Sequence, residues 1–221
     1  MNPFRIAVLI SGQGRNLQAI LDAVADGRIP AQVAGVVSNR AEAAGLGRAR
    51  SAGVPAQVVP HTGYADRAAF DAALADALEA LRPDLVALAG FMRVLGDPFI
   101  RRFAGRMVNI HPSLLPKYRG LQTHRRALEA GDAEHGASVH YVTEQLDGGP
   151  VIIQGWFSVE QADTEQSLAE RVMQDVELRI FPQALAWIAR GELRYAGGAL
   201  SFRGQPLAAP LTLADLDPEF R

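Results

Sequence analysis

The feature that most restricts the fold is a rhythm. Short, uninterrupted apolar runs alternate with segments whose apolar side chains recur at helical spacing. Residues 6–10 (Ile-Ala-Val-Leu-Ile) form the first run, ended by Ser11, Gly12, Gln13 and Gly14. A run apolar on every position, rather than on alternate ones, suits a strand buried on both faces of a parallel sheet. Leu17, Ile20, Leu21 and Val24 then lie on one helical face, with Gly27 as a stop. The pattern repeats with strands predicted at 33–37, 56–59, 85–89 and 106–110. Helices are predicted at 41–52, through Phe70, Leu74, Leu78 and Leu81, and near 98–102.

After residue 110 the rhythm changes. Residues 137–142 and 151–159 read as two strands flanking the acidic, glycine-rich loop Leu146-Asp147-Gly148-Gly149-Pro150, as antiparallel additions to the sheet. A long helix over about 165–190 is predicted to kink or divide at Pro182. From Gly191 a hairpin and a loosely held tail are expected on the same domain, giving segments 1–190 and 191–221. The fold class is therefore α/β, a doubly wound, mostly parallel sheet in a single domain, with right-handed crossovers.

Composition removes several classes of function. The 221 residues carry 22 Lys and Arg against 24 Asp and Glu, a net charge of −2, so no basic excess points to nucleic acid. With no cysteines, disulfides and thiolate metal sites are excluded. The 6–10 run is too short for a signal-peptide core or a membrane span, so a cytoplasmic protein with no membrane partner is expected.

In such sheets ligands bind at the carboxyl ends of the strands. The unusual residues collect at three such ends, 12–16, 90–95 and 109–111, which predicts one cleft. Gly14, Arg15 and Asn16 stand where backbone N–H groups and a helix dipole suit a phosphate, and a plain tight turn fits the same residues equally well. The third glycine of a dinucleotide fingerprint is missing, which favours a phosphate monoester.

Asn109 and His111, two apart on a strand, can project to one side and pair an oxyanion-binding amide with an imidazole. For an isolated histidine, a structural role bonded to loop backbone is the commoner one. Asp147 could orient His111, although turn chemistry before Gly148-Gly149 also favours Asp there. There is no Gly-x-Ser-x-Gly elbow for a serine nucleophile, and His111, His124, His135, His140 and Asp147 lack the spacing of known zinc motifs, so no metal is expected.

Together four blocks carry a resemblance: Ser11-Gly12-x-Gly14-x-Asn16-Leu17, Ala89-Gly90-Phe91-Met92-Arg93, Asn109-Ile110-His111-Pro112-Ser113-Leu114-Leu115-Pro116 and Leu146-Asp147-Gly148-Gly149-Pro150. From about residue 6 to 188 the chain resembles the folate-dependent glycinamide ribonucleotide (phosphoribosylglycinamide) formyltransferase family. The resemblance implies a Rossmann-like formyltransferase fold and a reaction of de novo purine biosynthesis. In that reaction the amine of glycinamide ribonucleotide attacks the formyl carbon of 10-formyltetrahydrofolate directly, through a tetrahedral intermediate, giving formylglycinamide ribonucleotide and tetrahydrofolate. It implies Asn109, His111 and Asp147 as catalytic, Gly14, Arg15 and Asn16 on the substrate phosphate, and Glu177 on the amine side. Folate binding would fall to Arg67, Met92, Arg93, Val94, Leu95, Asn109, Thr143, Glu144, Gln145, Leu146 and Asp147. It also implies a cis bond at Leu115-Pro116.

Four departures stand out. Arg15 replaces a common serine, Arg119 a usual proline and Leu178 a frequent histidine, and the stretch 172–177 is one residue longer than the pattern. Relatives acting on methionyl-tRNA carry a further basic domain, and deformylases usually an extra leading domain, so the chain's length favours the small phosphorylated acceptor. Small-molecule substrates, and a monomer or weak homodimer, are expected.

Overall fold

In the computed structural model, which describes residues 3–221, the apolar runs become strands. Those up to residue 111 are β1 (Phe4–Ile10), β2 (Ala31–Ser38), β3 (Ala56–Val58), β4 (Leu85–Leu88) and β5 (Met107–His111). Between them run α1 (Arg15–Ala25), α2 (Gly45–Ser51), α3 (Arg67–Ala80) and α4 (Asp97–Arg102). The pairs β1–β2, β2–β3, β1–β4 and β4–β5 are all parallel. Residues 6–10 of β1 are fully buried, as are Val86 and Ala87 of β4. Each large apolar side chain so removed from water is worth about 1.5–3 kcal/mol, which is why a strand apolar on both faces belongs inside the sheet.

The remaining elements are α5 (Thr123–Ala130), β6 (Glu134–Tyr141), β7 (Val151–Ser158), α6 (Glu165–Arg171), α7 (Leu178–Ala189), β8 (Leu193–Ala196), β9 (Ala199–Phe202) and β10 (Gln205–Pro206). The first seven strands form one sheet in the order β3-β2-β1-β4-β5-β6-β7, and β10-β9-β8 form a small second one. The class is α/β, mostly parallel and Rossmann-like, as the alternation of elements requires. The pair β6–β7 is antiparallel, the expected change after residue 110. Among the described residues no helix is long and apolar enough to cross a membrane. The chain divides into two compact units, one ending at Asn109 and one running Ile110–Arg221.

Three expectations need correction. The long helix over 165–190 does not divide at Pro182, which lies inside α7. It is interrupted earlier, by a π-helical turn at Val172–Glu177. A π turn accommodates one residue more than an α turn, the geometry suited to a stretch one residue longer than the pattern. The tail is not loose. Leu211, Leu216 and Phe220 are buried, Gln183 exchanges two hydrogen bonds with Asp217, and Leu211 bridges to Ile153 of β7. The helix predicted over 41–52 begins only at Gly45.

Candidate active site

The turn after β1 is shaped by close backbone approach. Gly14 has φ of 71°, and a Cβ there would lie 2.6 Å from the Gly45 Cα, so only glycine fits without displacement. Gly45 in turn donates its N–H to the Gly12 carbonyl at 3.0 Å. The loop therefore hands the chain directly to α1, whose first residues are Arg15 and the buried Asn16. Gly45 is a site-shaping residue that the sequence does not betray, because its partner lies 31 positions away.

Met92, Arg93 and Val94 are exposed and Leu95 is buried, in a segment without regular secondary structure between β4 and α4. Its Met92 N–H donates to Ser11 Oγ at 2.7 Å, and Ser11 donates to Asn39 Oδ1 at 2.6 Å. Arg67, the first residue of α3, is half-exposed and pairs with Asp71 at 3.7 Å.

On β5, Asn109 is half-buried and His111 buried, two apart on one face of the strand. Beyond the strand, Ser113 to Gly120 fold tightly, with the Leu115-Pro116 bond cis as the resemblance implied. This places the Tyr118 carbonyl 2.9 Å from His111 Nε2, so that nitrogen carries the proton and donates. His111 Nδ1 faces Asp147 Oδ2 at 3.5 Å.

Asp147 adopts φ of 45°, a left-handed conformation uncommon for a residue with a side chain. The Gly120 N–H donates to its Oδ2 at 2.8 Å, and His140 Nε2 stands 3.6 Å from its Oδ1. His140 is buried at the end of β6, and its Nδ1 donates to the Tyr141 carbonyl at 2.8 Å. One carboxylate thus lies between two histidines, and the sequence singled out only one of them. The alternation Ser138-x-His140 on β6, polar groups in a buried strand, was the available signal.

Burial lowers the pKa of His111, against the Tyr118 carbonyl and the Asp147 charge, which both favour its cation. Burial alone would raise Asp147, but His140, the Gly120 N–H and His111 together hold it below the usual carboxylate range. At neutral pH the pair is a carboxylate beside a largely neutral imidazole that accepts a proton as soon as negative charge grows nearby.

Thr143, half-buried, and the exposed Glu144, Gln145 and Leu146 make up the loop leading into Asp147, and a Cβ on Gly149 would collide with the Tyr141 carbonyl. Glu177 is buried at the end of the π-helical turn.

Residues 4–185 match the family model described as formyl transferase. Phosphoribosylglycinamide formyltransferase of Escherichia coli is 49% identical over 202 residues, 91% of this chain and 95% of that protein. The human trifunctional purine biosynthetic protein adenosine-3 is 45% identical over 190 residues, which are 86% of this chain and 19% of that protein. The solved phosphoribosylglycinamide formyltransferase of Coxiella burnetii superposes with a TM-score of 0.90 at 47% identity, covering 96% of this chain and 99% of that one.

Proposed function

Since the chain belongs to the formyl transferase family, among its phosphoribosylglycinamide formyltransferases, we propose that it moves the formyl group of 10-formyltetrahydrofolate onto the amine of glycinamide ribonucleotide. The observation that carries the reading is the carboxylate of Asp147, set 3.5 Å from Nδ1 of the buried His111.

The folate, a co-substrate, supplies an activated formyl carbon. Exposed apolar Met92 and Val94, 65% and 56% accessible, suit the flat aromatic body of such a molecule, and the half-exposed Arg67 suits its carboxylate end. Gly14, Arg15 and Asn16 bind the acceptor's phosphate with the N–H groups at the start of α1 and the Arg15 charge. Glu177 holds the amine side.

Asn109 donates to the oxygen on which negative charge develops. His111, whose Nε2–H stays on the Tyr118 carbonyl, stabilises that oxygen by taking a second proton at Nδ1; the growing charge offsets the burial that keeps its imidazole neutral, so the cation forms during the reaction rather than before it. Asp147 balances the imidazolium and helps carry the proton released by the attacking amine to the departing folate nitrogen, as that nitrogen's bond to the formyl carbon breaks. Holding both substrates in one geometry supplies much of the remaining acceleration.

The test is the rate of 10-formyltetrahydrofolate consumption by purified protein, with and without glycinamide ribonucleotide. Turnover only with the amine is expected. Turnover with water alone would make the protein a deformylase, and none under either condition would overturn the folate reading.

A further inference from the structure

The segment between β4 and α4 is tied at its ends by backbone bonds, the Ala89 N–H to the Leu9 carbonyl and the Ile100 N–H to the Gly96 carbonyl, and between them it has no ladder or helix, so side chains that grip its backbone also set its shape. Ser11 holds the Met92 N–H at one end. At the other, Asp71 Oδ2 accepts the Gly96 N–H at 2.8 Å, across 25 residues of sequence. The same oxygen lies 3.7 Å from Nε of Arg67, one turn earlier on α3. A Cβ built on Gly96 would lie 2.9 Å from that oxygen and 3.6 Å from the Arg67 guanidinium, so three groups meet at one point. Arg67, Asp71 and Gly96 border one cavity of about 290 Å³ whose remaining wall is Arg102 and the apolar Ala68, Ala72, Ala75, Pro98 and Phe99, so Asp71 is the one carboxylate in that lining.

Asp71 is only 7% exposed, and its Oδ1 is buried without a hydrogen-bond partner. A buried carboxylate oxygen left unpaired works against folding, so what the residue contributes lies in what its other oxygen holds.

We infer that Asp71 is a positioning residue for the formyl donor. Its single carboxylate sets both the 92–96 segment and the Arg67 guanidinium, an inference that rests on the reading above that these two elements bind the folate. The effect is exerted on binding rather than on chemistry, because neither element carries a reacting group.

Steady-state kinetics of the full chain with 10-formyltetrahydrofolate and glycinamide ribonucleotide test this. Asp71→Ala is expected to raise the KM for the formyl donor about tenfold, the scale of a lost charge-assisted hydrogen bond, with kcat and the acceptor KM changed by less than about twofold. Asp71→Asn keeps an acceptor for Gly96 and should recover most of the loss. A merely structural role would lower the active fraction, and so kcat, with both KM values intact.

An unchanged donor KM in Asp71→Ala, or a joint rise of both KM values, would overturn the inference. If Asp71→Ala does not fold, Gly96→Ala, which crowds the same oxygen, reads the same quantity: a raised donor KM supports the inference and an unchanged one overturns it. Absence of turnover in the unmodified protein would overturn the folate reading and this inference with it. Normal turnover with an unaltered donor KM in the variants would overturn this inference alone.

Discussion

Two irregular segments carry most of the proposed site, and they are held in opposite ways. The segment 92–96 offers Met92, Arg93 and Val94 outward over a buried Leu95 and is gripped by its backbone, Met92 N–H on Ser11 and Gly96 N–H on Asp71. The loop at 143–149 does the reverse. Glu144, Gln145 and Leu146 are exposed, but it turns at Asp147 through a left-handed backbone to drive one carboxylate inward, between His111 and His140 and onto the Gly120 N–H. A surface that recognises a ligand can tolerate mobile side chains on a fixed backbone. A group that must act on a developing charge needs its own atoms fixed, and a strained backbone is the cost.

The contrast breaks most sharply if the two segments fail differently. Asp147→Asn keeps the shape and removes the charge, so it should lower kcat at least about a hundredfold with the donor KM little changed. His111→Ala should fall in the same range. Near-normal kcat in either would return that residue to a structural role.

Arg67→Ala, on the binding side, should instead raise the donor KM about five- to tenfold with kcat preserved. Loss of kcat there would mean that the two segments do not divide the work. A smaller effect, about threefold to fivefold on the acceptor KM alone, is expected for Arg15→Ala, because on the proposed reading the backbone N–H groups at the start of α1 would still hold the phosphate. An unaltered acceptor KM would remove Arg15 from the site.

The sequence makes the strands legible because burial on both faces leaves no polar position to obscure them, as in residues 6–10 and 85–88. The same logic hides α5. Its segment, Thr-His-Arg-Arg-Ala-Leu-Glu-Ala, buries only Thr123 and Ala127 and so presents no apolar stripe. Asn109, His111 and Asp147 are readable as residue types, but the left-handed turn that aims Asp147 depends on packing. The contact of Asp71 with Gly96 joins positions 25 apart, and that of His140 with Asp147 depends on how the loop after β6 folds back, so no strand or helix period encodes either. The π turn lies between these cases, since a residue too many in a helix is visible as length but not as geometry.

The inward-facing chemistry of the second unit has a consequence for stability. His111, His124 and His135 all have lowered pKa values, chiefly because burial disfavours their charged forms, His135 reaching about 4. His124 Nδ1 and His135 Nε2 are 2.9 Å apart, one donating to the other, so a second proton meets both burial and its neighbour. A folded-state pKa below the unfolded value near 6.5 means that the unfolded chain binds protons more readily, so stability is full above about pH 6.5 and declines towards pH 4. The lowered carboxylates Asp132, Asp147, Asp163 and Asp217 act in the same direction only below about pH 4, which leaves the upper window to the histidines. Thermal unfolding followed between pH 7 and 5 should show the midpoint falling by a few degrees, and His135→Gln should flatten that slope while leaving kcat at pH 7.5 unchanged. A midpoint independent of pH over this range would show that His111, His124 and His135 take up their protons without cost to the fold.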